Sequence, residues 1–149
     1  MMNVYDRCIM WGGETSEGIV LPWMIGTLTR LHGYSFEITL DSGGVLTGSD
    51  ISAVGSLDAL VESVLRGGFA DRVKHERQGD RYEIGKAFAV WMYIPKVAFS
   101  GGWDVGVLTE VDGDGVAKLT INGGRGTSGT RNYKNLGPIE ELPLGVLDR

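Results

Sequence analysis

The chain has 149 residues, 42% of them hydrophobic and 22% charged, which is enough apolar material for a core and argues against disorder. A formal net charge of −5 and a pI near 5.0 disfavour non-specific binding to phosphate backbones. Cys8 is the only cysteine, so no intramolecular disulfide can form, and no apolar run approaches the length that spans a bilayer. Asp6 and Arg7 precede any apolar run, so no signal peptide is expected, and the chain reads as soluble and cytoplasmic with no membrane partner.

In chain order, Arg7 to Trp11 is a short β-like run and Gly12 to Gly18 a polar, Gly-rich loop. Ile19 to Leu31 reads as a strand with a bend, because Pro22 and Gly26 sit inside it. Trp23, Ile25, Thr27, Thr29 and Leu31 share one face, and Met24, Gly26, Leu28 and Arg30 the other. Apolar residues on both faces suit a bent strand of a small barrel. His32 to Ser35 is a hairpin turn. Phe36, Ile38 and Leu40 then alternate with Glu37, Thr39 and Asp41, the pattern of a half-buried antiparallel strand. A turn at Ser42 to Gly44 leads into a further strand at Val45 to Gly48.

One amphipathic helix is expected over 56–66. Ser56 is an N-cap, Asp58 suits the first turn, and Gly67-Gly68 ends it. Leu57, Leu60, Val61, Val64 and Leu65 form its apolar stripe. Val73 to Gly85 reads as a charged hairpin turning at Gln78-Gly79-Asp80, and Lys86 to Ile94 as an apolar, central strand.

The remainder repeats what came before. Trp23-Met24-Ile25-Gly26-Thr27-Leu28-Thr29-Arg30-Leu31-His32-Gly33 returns as Trp103-Asp104-Val105-Gly106-Val107-Leu108-Thr109-Glu110-Val111-Asp112-Gly113, at an offset of 80 throughout. Trp11 and Trp91 precede the two copies by the same twelve residues. Glu37 to Asp41 matches Lys118 to Asn122 at an offset of 81, and Val54 to Leu60 matches Leu136 to Leu142 at 82. Each added residue falls in an expected turn, where insertions are tolerated. In the second copy Pro138 can open a helix and Pro143 stops it after about one turn.

Few residues suggest chemistry. Gly124 to Gly129 matches the G-x-G-x-x-G spacing, but a dinucleotide fingerprint needs a helix next, and Arg131 to Pro138 cannot start one. The run reads instead as a long hairpin loop. Arg125, Arg131 and Lys134 on it form a candidate phosphate-binding set with the glycine N–H groups. Glu110, Asp112 and Asp114 lack the third ligand and distant Glu of a calcium loop. His32 and His75 stand in no metal or catalytic spacing, Cys8 reads as a buried small hydrophobe in an apolar strand, and no metal or cofactor is expected. The four tryptophans, each in an apolar strand, read as core. Residues 1–65 carry eight acids against Arg7 and Arg30, a net of −6, while the rest is close to neutral. Glu37, Asp41, Asp50, Asp58 and Glu62 are the candidate partner-binding acids.

The expected fold is α+β, mostly β: a tandem duplication of a small, bent, antiparallel barrel-like sheet with one helix at 56–66. The copies would span 1–80 and 81–149, or merge into one pseudo-symmetric domain. Two functions fit. One is a non-enzymatic, acidic protein-binding inhibitor or adaptor with a basic partner, of the kind of toxin-neutralising immunity proteins and phage anti-defence proteins. The other is a nucleotide or nucleic-acid binder using the loop 123–134.

Overall fold

Two antiparallel five-stranded sheets and, among the described residues, a single α-helix make a mostly-β, α+β structure. This computed structural model describes residues 2–14, 16–92, 102–121, 126–130, 132–143 and 145–148. The first half supplies β1 (Arg7–Glu14), β2 (Val20–His32), β3 (Ser35–Leu40), β4 (Val45–Gly48), β5 (Gly55–Ser56) and helix α1 (Leu57–Arg66). The second supplies β6 (Ala87–Met92), β7 (Gly102–Val111), β8 (Ala117–Ile121), β9 (Gly126–Thr130) and β10 (Gly137–Pro138). The sheet orders are β4-β3-β2-β1-β5 and β10-β6-β7-β8-β9.

Both sheets are open, so neither is the barrel expected from the sequence. At one margin of the first sheet β5 is two residues long, and Ser56 already turns to capping: its Oγ accepts from the Ala59 N–H at 3.2 Å. A strand that short cannot close a barrel. The second sheet has the same margin in β10, which passes at once into a 3-10 turn at Ile139–Glu141.

The bend expected at Pro22 and Gly26 is instead a β-bulge at Thr29. Leu28 pairs with Ile38 and Leu31 with Phe36, so three residues on β2 span what two span on β3. The extra residue flips the side-chain alternation, which puts both Leu28 and Leu31 against the core and explains apolar residues on both nominal faces. Thr109 does the same on β7, between Leu108–Leu119 and Val111–Ala117. Each threonine hydroxyl bonds the facing strand at 3.2 Å, Thr29 to the Glu37 carbonyl and Thr109 to that of Lys118.

Two other expectations change. β1 continues through Gly12 to Glu14, where a loop was expected. The segment 73–85 is irregular rather than a hairpin. Its backbone is held by side chains: the Lys86 ammonium donates to the carbonyls of Gln78 and, at 2.6 Å, Asp80, and Arg81 pairs with Glu141. On α1, Leu57, Leu60, Val61 and Val64 are buried as expected, while Leu65 is half exposed.

The chain divides into two compact units. The first takes Met1–Met10, Met24–Leu60 and Trp91–Trp103. Its core is Cys8, Leu28, Ile38, Ile51 and Val54, with Met10, Phe36 and Leu46 packed on it. The second takes Trp11–Trp23, Val61–Val90 and Asp104–Arg149. Its core is Phe88, Val90, Leu108, Ala117, Leu119 and Leu136, with Tyr82 and Tyr133 packed on it.

The tryptophans are exchanged between the repeats. Trp11 and Trp23, from the first repeat, lie in the second unit edge to face at 5.4 Å. There the Trp23 indole N–H donates to the Pro138 carbonyl at 2.9 Å and that of Trp11 to Lys134 at 3.1 Å. Trp91 and Trp103, from the second repeat, lie in the first unit at 5.3 Å and donate to Ser52 and Ser56. Trp23 is buried; the other three are half-buried, with their N–H groups satisfied by backbone.

Candidate functional site

The five candidate acids do different work. Asp41, just past β3, is held by Arg7, whose Nη1 lies 2.7 Å from Oδ1 while Nη2 meets Oδ2. The same Nη1 reaches the Thr27 hydroxyl at 3.0 Å. The hydrogen-bonded guanidinium holds the Asp41 carboxyl below its ordinary range, and the carboxylate in turn raises Arg7. Asp50 caps the 3-10 turn at Ile51–Ala53, accepting from the Ser52 N–H at 3.1 Å and its hydroxyl at 2.5 Å. Asp58 stands in the first turn of α1, where the helix dipole favours a negative charge. Glu62 pairs with Arg66 one helical turn on, at 3.3 Å.

Glu37 differs from these four. Its carboxylate has no ion pair among the described residues, although its Cα faces Arg30 on β2 and Thr47 on β4. The register sets it on the outer face of the first sheet with Thr39, Val45 and Thr47, opposite the face formed by Phe36, Ile38 and Leu46. Glu37, Asp41, Asp50 and Asp58 belong to the first unit and Glu62 to the second. The segments of the first unit hold five acids and three bases, those of the second fourteen and eleven. The acidic excess of residues 1–65 is therefore not an excess of one unit, because the units draw on both halves of the chain.

The Gly-rich run is not the long loop expected. Gly126–Thr130 is β9, paired with β8 from Ala117–Thr130 to Ile121–Gly126. Arg125 and Arg131 lie outside the described residues. Lys134 sits in the 3-10 turn Tyr133–Asn135, its N–H held by the Asn132 side chain at 2.9 Å.

Around Lys134 the second unit gathers aromatic and cationic groups that sequence reasoning passed over. Its carbonyl accepts from Trp11 and from the Tyr82 hydroxyl, both at 3.1 Å. Tyr82 and Tyr133 meet edge to face at 5.0 Å, the Lys134 ammonium lies 6.0 Å from the Tyr133 ring, and Arg81 lies 5.8 Å from that of Trp11. Arg81 is raised chiefly by its hydrogen bonds to Glu141, at 2.7 and 2.8 Å. At an offset of 82, Ile51 and Ser52 stand where the second repeat has Tyr133 and Lys134. That contrast was readable once the repeat had been aligned.

Cys8 is buried in the first core, and burial pushes its thiol up to about 11, the signature of an inert packing residue. Among the described residues no group of three or more His, Cys, Asp and Glu side chains could hold a metal ion. No described helix is long and apolar enough to cross a membrane. A cavity of about 180 Å³ in the second unit is lined by Val73, His75, Pro143, Val146, Leu147 and Asp148, with His75 Nδ1 3.0 Å from the Leu142 carbonyl. No known protein family matches the chain, and no curated protein is significantly similar to it.

Proposed function

We propose that the protein is an acidic protein-binding module of the inhibitor or adaptor type, built by tandem duplication and acting in the cytoplasm. Toxin-neutralising immunity proteins and phage anti-defence proteins are of this type. The observation that carries the binding reading is Glu37, an acid with no ion pair among the described residues, on the outer face of a sheet next to an exposed edge strand. A basic partner gains most from such a charge, since it forfeits no ion pair made among the described residues. Duplication is supported by equivalent bonds in the two repeats. Leu28 exchanges bonds with Tyr5 and Asp6 as Leu108 does with Gly85 and Lys86, and Tyr5 and Gly85 both have positive φ.

Charges at an interface rim act mainly on association rate and little on dissociation. Glu37→Lys is expected to slow association with a partner recovered from the native host, and more so at low than at moderate salt. Asp41 is a poorer choice, since its reversal would also leave Arg7 unpaired. Stopped-flow association of wild type and Glu37→Lys at two salt concentrations is the experiment. Identical rates at both would remove Glu37 from the interface.

A second reading is favoured by the aromatic and cationic groups around Lys134: binding of a nucleotide or single-stranded nucleic acid, with Arg125, Arg131 and Lys134 on the phosphates and Tyr82 or Tyr133 against a base. On this reading oligothymidylate binds with a steep salt dependence, and Lys134→Ala weakens it severalfold in a fluorescence titration. Binding that is absent, or indifferent to both salt and the substitution, would eliminate it.

A further inference from the structure

The Leu40 N–H donates to the Gly44 carbonyl at 3.1 Å. Hydrogen-bonded and non-bonded pairs alternate along an antiparallel ladder. From the register, Ile38–Leu46 and Phe36–Gly48 are therefore the bonded pairs, and Val45 and Thr47 turn their own N–H and C=O groups to the outer side of β4. β4 is the terminal strand of its sheet. Its sequence, Val-Leu-Thr-Gly, contains no charged residue and no Pro, and its register with β3 has no bulge, so among the described residues shortness is the one usual device that blunts this edge. Val45 is 57% exposed.

We infer that the outer edge of β4 is a docking site for an extended peptide of alternating basic and apolar residues, added as a further strand of the sheet. This rests on the protein-binding reading above and specifies its mode. An added strand on β4 lies two strand spacings from β3, roughly 10 Å. A lysine on its outer face reaches Glu37 across Thr47, whose side chain is short. Apolar residues on its inner face cover Leu46 and Phe36, which are only half-buried at the margin of the first core. The corresponding edge of the other sheet does not offer this chemistry. β9 reads Gly-Thr-Ser-Gly-Thr, with no apolar residue, and its neighbour β8 has Lys118 paired with Gly129 where β3 has Glu37 paired with Thr47. A second copy of the chain is a poorer occupant, because its own β4 carries no basic residue to meet Glu37.

The test is titration of the full chain with a capped Lys-Val-Lys-Val-Lys-Val hexapeptide, followed by backbone amide shifts and hydrogen exchange. Slowed exchange at Val45 and Thr47 is expected, with a shift at Glu37. The same peptide methylated on every backbone nitrogen keeps its charge and loses its donors; it is expected to bind at least about tenfold more weakly. Thr47→Pro, which removes an outward N–H and no hydrogen bond of the β3–β4 ladder, is expected to weaken binding to a similar degree at a little-changed melting temperature. A Glu-Val hexapeptide is expected not to bind. Failure of the Lys-Val peptide to bind overturns the inference. Equal binding of the methylated peptide, or by Thr47→Pro, also overturns it, while leaving the acidic face as a binding surface. Protection of Val45 and Thr47 in a concentration-dependent dimer without peptide assigns the edge to a second copy instead. The protein-binding reading fails separately, on the association rates of Glu37→Lys.

Discussion

Trp23→Ala is expected to remove about 3–5 kcal/mol of stability, the cost typical of a truncated core aromatic. The ring is 5% exposed, its N–H is bonded to the Pro138 carbonyl, and it packs edge to face with Trp11. Truncation removes all three at once: the buried area, the aromatic pair and the partner of a carbonyl whose residue is itself buried. In a chain of this size each kcal/mol moves the melting temperature by about 2–4 °C, so a fall of about 10 °C is expected. Trp103→Ala tests the same design in the first unit, and a smaller loss is expected there because that ring is only half-buried. Urea denaturation of both variants is the measurement. A loss below about 1 kcal/mol for Trp23→Ala would show that its pocket collapses without penalty, against the cavity cost expected of a packed core.

The repeat was legible because tryptophan is rare and its spacing is conspicuous, so Trp11, Trp23, Trp91 and Trp103 could be paired by eye. Which unit each pair enters was not, since the partners are backbone carbonyls of Pro138, Lys134, Ser52 and Ser56, and a carbonyl has no sequence signature. Helix α1 was legible from Ser56 and the leucine and valine stripe, because cap and periodicity are local. The bulges at Thr29 and Thr109 left only a confused face pattern, which read as a bend; the facing strand had to be known before the extra residue showed. The hairpin expected at 73–85 failed for a related reason. Arg81 is spent on Glu141 and the neighbouring Lys86 on Glu140, partners more than fifty positions away that no local pattern shows. Among the candidate acids, composition could not distinguish Glu37 from Asp41, because the ion pair to Arg7 spans thirty-four residues.

Gly137→Ala should be among the most damaging single-methyl additions to this chain. A Cβ there would lie 2.2 Å from Trp23 Cζ2 and 2.3 Å from Cη2, both ring atoms of a buried side chain. Two effects compete. Gly137 has no positive φ, so alanine is conformationally allowed, and loss of unfolded-state entropy would favour the variant by about 0.4–1 kcal/mol. Overpacking typically costs about 1–3 kcal/mol, and here the ring is also fixed by its bond to Pro138, the residue next to the new methyl. The steric term wins, and net destabilisation is expected. Gly55→Ala sets up the same contact, with a Cβ 2.2 Å from Trp103 Cζ2, and that ring is likewise bonded, to the Ser56 carbonyl, but it is only half-buried and so less confined by its surroundings. The twin substitution is therefore expected to cost less, so the two repeats respond unequally to the same change. Trp23→Phe removes the ring atoms that the new methyl meets. In the double variant Gly137→Ala/Trp23→Phe the two losses are thus expected to sum to more than the whole, since residues in contact are not additive. Chemical denaturation of the two single variants and the double decides it. Strict additivity, or a neutral Gly137→Ala, would mean that the glycine is not what lets Trp23 seat against the second unit's backbone.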